Sequence, residues 1–77
     1  MTDYFVVYNK ILNETIPDFS DYIFNFDSNF DKLGISSMDR IESIHQLLCV
    51  LNLNIPMISF AGKATIMEIL AVLPSDH

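Results

Sequence analysis

Basic residues are scarce: four Lys and Arg stand against ten Asp and Glu, a formal charge of −6. That field repels a phosphate backbone, so nucleic acid is excluded as a ligand and partners with basic surfaces are the natural complement. The single cysteine, Cys49, has no internal disulfide partner and suits a reducing compartment. Apolar runs such as Leu47 to Leu51 stop far short of the ~20 residues of a membrane span, so no membrane is expected. The opening Met1-Thr2-Asp3 lacks the basic start of a secretory signal, and a cytoplasmic monomer is the expectation. Glycine and proline are few, and only 18% of residues are charged against 51% hydrophobic. Disordered chains have the opposite balance. Residues 1–77 read as one small domain. Such a domain buries ~60% of its unfolded surface and rarely has room for a deep catalytic cleft.

What is present is helical. Phe5, Tyr8, Ile11, Leu12 and Thr15 fall at three- and four-residue spacings, which predicts a helix over about 2–15 with Asp3 in its first turn. Pro17 ends it. Residues 18–36 show no helical period but hold Phe19, Tyr22, Ile23, Phe24, Phe26 and Phe30. The alternation Tyr22-Phe24-Phe26 suits a short strand, yet no other segment offers it a partner. The segment is better read as a long loop pinned by aromatics, with room for a helical turn. The clearest helix runs over about 37–52. Ser36 and Asp39 fit a capping box at its start, Ile41, Ile44, Leu47, Leu48 and Leu51 form its stripe, and Asn52, Asn54 and Pro56 stop it. Met57 to Ala61 fits one turn broken by Gly62, and Thr65 caps a last helix over about 66–73. Ile66, Ile69, Leu70 and Leu73 face inward and Pro74 ends it.

The segment Leu33-Gly34-Ile35-Ser36-Ser37-Met38 carries the chemistry. A glycine turn feeds a helix whose first N–H groups are unpaired and whose dipole is positive there, a setting that favours an anion. A phosphodiester built on a serine hydroxyl at that point sits in a favourable field. No base lies near to activate the serine as a nucleophile, so its chemistry is that of an acceptor modified by another enzyme.

These residues resemble the attachment site of acyl carrier proteins, Leu-Gly-x-Asp-Ser-Leu before the second main helix. Length, acidity, the long first loop and Thr65-Ile66-Met67-Glu68-Ile69-Leu70 extend the likeness over essentially the whole chain. The resemblance implies an all-α, up-and-down four-helix bundle with a long first loop and a short third helix. It also implies a 4′-phosphopantetheine arm on Ser37, installed by a phosphopantetheinyl transferase, and no catalytic activity. Ser36 stands where the family usually has Asp. Gly62-Lys63-Ala64 replaces the usual His-Pro-Thr ahead of the last helix. His45 occupies a place where carriers often present an apolar residue to partners.

Asp39-Arg40-Ile41-Glu42 and Leu51-Asn52-Leu53-Asn54-Ile55-Pro56 narrow the likeness to the stand-alone donor carriers of polyketide β-branching cassettes. That resemblance implies loading with malonyl by an acyltransferase and decarboxylation to acetyl by a ketosynthase-like enzyme. The acetyl unit then passes to a synthase similar to hydroxymethylglutaryl-CoA synthase. Met38, Asp39, Arg40, Ile41, Glu42 and His45 are the docking surface it implies, with charges steering the encounter and apolar groups holding it.

Plainer readings compete. By spacing alone Ser37 is a capping serine, and Asp39 and Glu42 are a solvated helix face. His45 and Cys49 share a face, but two ligands do not make a metal site; a half-buried histidine and a core cysteine are expected. The loop aromatics fit a core better than an acyl pocket, and the methionines other than Met38 read as gap-fillers. A generic fatty-acid or polyketide-module carrier and an unmodified helical adaptor for a basic partner remain the alternatives. A small hydrolase is the weakest, since His45 lies two turns beyond Ser37.

Overall fold

Asp3 closes the start of the first helix: its carboxylate accepts the Phe5 and Val6 N–H groups at 3.1 and 3.3 Å. It is therefore the N-cap of α1, Tyr4–Thr15, rather than a residue of its first turn. The computed structural model describes residues 3–74. Among these it contains α1, α2 (Phe30–Leu33), α3 (Ser37–Leu51) and α4 (Ile66–Leu70), with 3-10 turns at Pro17–Phe19 and Met57–Phe60. The expected short third helix takes the form of that second turn. It has no side-chain cap, and Gly62 at φ +76° turns the chain away after it.

Tyr8, Ile11 and Leu12 of α1 meet Ile44, Leu47 and Leu48 of α3, and Phe24, Phe30, Ile35, Phe60, Ile66, Ile69 and Leu73 close the core. Asn52 ends α3 in the left-handed region at φ 56°, and the Leu53 N–H returns to the Leu48 carbonyl at 2.9 Å. Both features mark a helix C-terminus that satisfies its own last carbonyls. The last helix is shorter than the 66–73 expected: regular structure stops at Leu70 and a turn carries Leu73 into the core.

Residues 22–26 form no strand. Side-chain amides of α1 do the work a partner strand would do. Asn9 Oδ1 accepts the Phe24 N–H at 3.0 Å, and Asn13 Nδ2 donates to the Phe19 and Tyr22 carbonyls at 2.6 and 2.8 Å. Farther on, Phe30 donates to the Ala64 carbonyl, while Ile66 and Met67 donate to those of Ser28 and Phe26. The long loop is thus fixed at both ends, by α1 and by the start of α4. Phe24 and Phe30 are core, whereas Tyr22 and Phe26 are exposed, Phe26 stacking on Phe5 at 4.5 Å.

Candidate functional site

Leu33-Gly34-Ile35 sets how α3 begins. Gly34 has φ +76°, a conformation that costs a side-chain-bearing residue roughly 1–2 kcal/mol. The Ile35 N–H bonds the Phe30 carbonyl at 3.0 Å and its side chain is buried. With Ile35 anchored, Ser36 and Ser37 follow at the surface, both exposed. Ser36 is the N-cap, its Oγ accepting the Asp39 N–H at 3.1 Å. The reciprocal half of the expected capping box is absent here; among the described residues the complete box closes α4, between Thr65 and Glu68. Aspartate is one methylene shorter than the glutamate or glutamine of that motif, which shortens its reach back to the cap.

Ser37 is the first residue of α3 and opens onto a groove of about 340 Å³. Ile44 and Phe60 are buried at the floor, while Arg40, Ile41, Met57, Ile58, Ala61 and Gly62 complete the walls. The lining holds no carboxylate and no imidazole. The groove beside Ser37 thus offers its hydroxyl no general base. At the helix start, the N–H groups of Ser37 and Met38 precede the first intrahelical bond and the one taken by Ser36. They can face an anion attached at this position.

The other candidate residues divide. Met38 is 80% exposed and Ile41 53%, so Ile41 leaves the core stripe in which its spacing placed it and lines the groove instead. Asp39, Glu42 and His45 are exposed. Arg40 turns inward. Half-buried, it donates from Nη1 to the Lys63 carbonyl at 3.2 Å and lies over the Phe30 ring, 5.9 Å from its centroid. Those contacts tie α3 to the loop before α4 and to α2.

His45 and Cys49 do share a face, with Nδ1 and Sγ 4.0 Å apart, but both are exposed. Cys49 is not a core thiol, because Leu47 and Leu48 occupy the inward side of that turn. Among the described residues no group of three or more potential metal ligands occurs. Met67, 56% exposed, is no gap-filler. The sequence reading missed the contribution of the Met57–Phe60 turn and Gly62 to the groove.

No described helix is long and apolar enough to cross a membrane. The model of the family described as "Phosphopantetheine attachment site" matches residues 10–73. No curated protein matches the chain. Among solved structures it is similar to a chain in "Crystal Structure of the Curacin Biosynthetic Pathway HMG Synthase in Complex with Acetyl Donor-ACP". The two are 32% identical with a TM-score of 0.78, over 90% of this chain and 88% of that one. Coverage so nearly equal means chains of similar length, which identifies the matched chain as the carrier rather than the synthase.

Proposed function

This chain belongs to the phosphopantetheine-attachment family, and from that premise we propose that it is the acetyl-donor carrier of a polyketide β-branching system, with Ser37 as its attachment residue. Members of the family carry substrates rather than convert them, on a covalent 4′-phosphopantetheine. That group supplies a terminal thiol on which acyl groups are held as thioesters.

The residues here fit such a group. Ser37 offers an exposed hydroxyl, unpaired helix-start N–H groups for the phosphodiester, and an apolar groove that begins at the serine itself. Between the two adjacent serines, Ser36 already spends its oxygen on the helix cap. The single observation that carries the reading is Ser37, exposed on the first turn of α3, in a chain 32% identical to a carrier solved with its synthase. Met38, Asp39, Ile41, Glu42 and His45 surround it as the docking surface, and Arg40 supports them from behind. Malonyl loading by an acyltransferase, decarboxylation by a ketosynthase-like enzyme and acetyl transfer to a hydroxymethylglutaryl-CoA-synthase-like enzyme, all in the cytoplasm, complete the proposal.

The test has two stages. Incubation with a phosphopantetheinyl transferase and coenzyme A raises the intact mass by one phosphopantetheine, and Ser37→Ala abolishes the rise. The acetyl-loaded holo protein then transfers acetyl to a β-branching synthase, whereas a fatty-acid carrier does so poorly. Equal transfer from both carriers removes the donor assignment. A chain recovered only unmodified is the adaptor instead.

A further inference from the structure

The groove beside Ser37 has a second bank. On α3 stands Ile41; across from it the Met57–Phe60 turn raises Ile58, 79% exposed. Phe60, 5% exposed, and the half-buried Met57 anchor that turn to the core. Ile58 is thereby held outward, where it contributes almost nothing to burial. Exposed apolar residues scattered singly need no explanation, but Ile41 and Ile58 share one groove, with exposed Met38 on the same helix start, and apolar patches mark contacts.

We infer that Ile58 is the far anchor of the docking surface and the residue that selects the synthase-like partner; this rests on the function proposed above. Any enzyme that collects cargo from an arm on Ser37 covers the surface around that residue, and Ile58 lines the same groove as Ser37. The occupant is an apolar ridge of the synthase-like enzyme, spanning from Met38 and Ile41 to Ile58. Basic side chains at its margin meet Asp39 and Glu42, as the −6 net charge of this chain demands. A transferase that only needs the serine does not have to span both banks, so Ile58 separates the two kinds of partner.

The experiment compares holo wild type, Ile58→Ser, Ile58→Glu and, as a control on the long loop, Ile23→Ser (Ile23 is 78% exposed). Calorimetry gives Kd for a purified β-branching synthase, mass spectrometry the rate of phosphopantetheine loading, and circular dichroism the fold. Removing a buried isoleucine at such an interface weakens binding about tenfold to a hundredfold. Ile58→Ser is expected to lose that much and Ile58→Glu more, with loading, fold and the Ile23→Ser control unchanged.

Unchanged affinity in Ile58→Ser, beside a wild type that binds, overturns the inference and leaves the donor role standing. A wild type that does not bind overturns the donor role itself. Wild-type self-association that Ile58→Ser abolishes assigns the patch to a second copy. Amide shifts around Ile58 on conversion from apo to holo, without partner, assign it to the arm. Either result also overturns the inference.

Discussion

Tyr8 and Ser43 face each other across the α1–α3 contact with their oxygens 2.8 Å apart, both fully buried. The Ser43 hydroxyl proton is committed to the Arg40 carbonyl at 2.7 Å. The proton between the two residues is therefore Tyr8's: the phenol donates and Ser43 Oγ accepts. Burial pushes the Tyr8 phenol well above its ordinary range, and the Arg40 charge offsets only part of that.

The two ends of this relay are unequal, which gives a sharp expectation. Ser43→Ala strands a buried phenol and is expected to cost roughly 1–3 kcal/mol. Tyr8→Phe leaves Ser43 still donating to Arg40 and costs less, about 0.5–1.5 kcal/mol. The double variant recovers part of the Ser43→Ala loss. Urea unfolding midpoints check this, and equal losses from the two single changes would refute the direction of donation. The pH dependence has a definite sign as well. An unfolded tyrosine ionises at about pH 10, whereas native Tyr8 holds its proton to higher pH. The stability it contributes is full below about pH 10 and declines as pH rises toward the native value. Tyr8→Phe flattens that alkaline decline.

At α4 the cap is closed from both sides. Glu68 Oε1 accepts the Ala64 N–H, the Thr65 N–H and the Thr65 hydroxyl, each at 3.1 Å, while Thr65 Oγ1 accepts the Glu68 N–H at 3.2 Å. The Ala64 N–H first, then the Thr65 hydroxyl and N–H, hold the Glu68 carboxyl below its ordinary range, with Lys63 adding a little. A depressed carboxyl stabilises the fold above its unfolded pKa and loses that contribution as pH falls through the native one. Thermal midpoints measured from neutral pH downward should therefore fall less steeply in Glu68→Gln than in wild type. Thr65→Ala should cost about 1 kcal/mol at neutral pH.

How much of this was readable depends on how far apart in sequence the deciding groups lie. Local signals succeeded. Ser36 marks the start of α3 and Thr65 that of α4, and Ile44, Leu47 and Leu48 mark the buried stripe of α3, because caps and periodicity act within one or two turns. Ile41 carries the same spacing yet is 53% exposed, since it stands on the wall of the groove beside Ser37 and periodicity does not say where the core gives way to surface. The long loop was expected, but the path of its backbone was not readable, for a different reason. Its backbone is satisfied by Asn9 and Asn13, polar residues on a helix that nothing nearby marks as partners for residues 19–24. Ile58 was overlooked because an apolar residue in a short turn looks the same whether it faces the core or the solvent.

Adjacent serines make the register of the site a measurable matter. Ser36 Oγ caps the Asp39 N–H, so Ser36→Ala removes a cap and should cost about 1 kcal/mol in unfolding. Ser37 keeps its exposed place on the first turn, so Ser36→Ala should still gain one phosphopantetheine. Ser36→Asp goes further: aspartate caps as well as serine and adds a negative charge to the positive end of the helix dipole. It should match or exceed wild-type stability, and it restores the acid usual before the serine in carriers, so loading by a transferase should quicken. Intact mass over time separates the outcomes. Modification that disappears in Ser36→Ala but persists in Ser37→Ala would move the attachment point by one residue and reassign the cap.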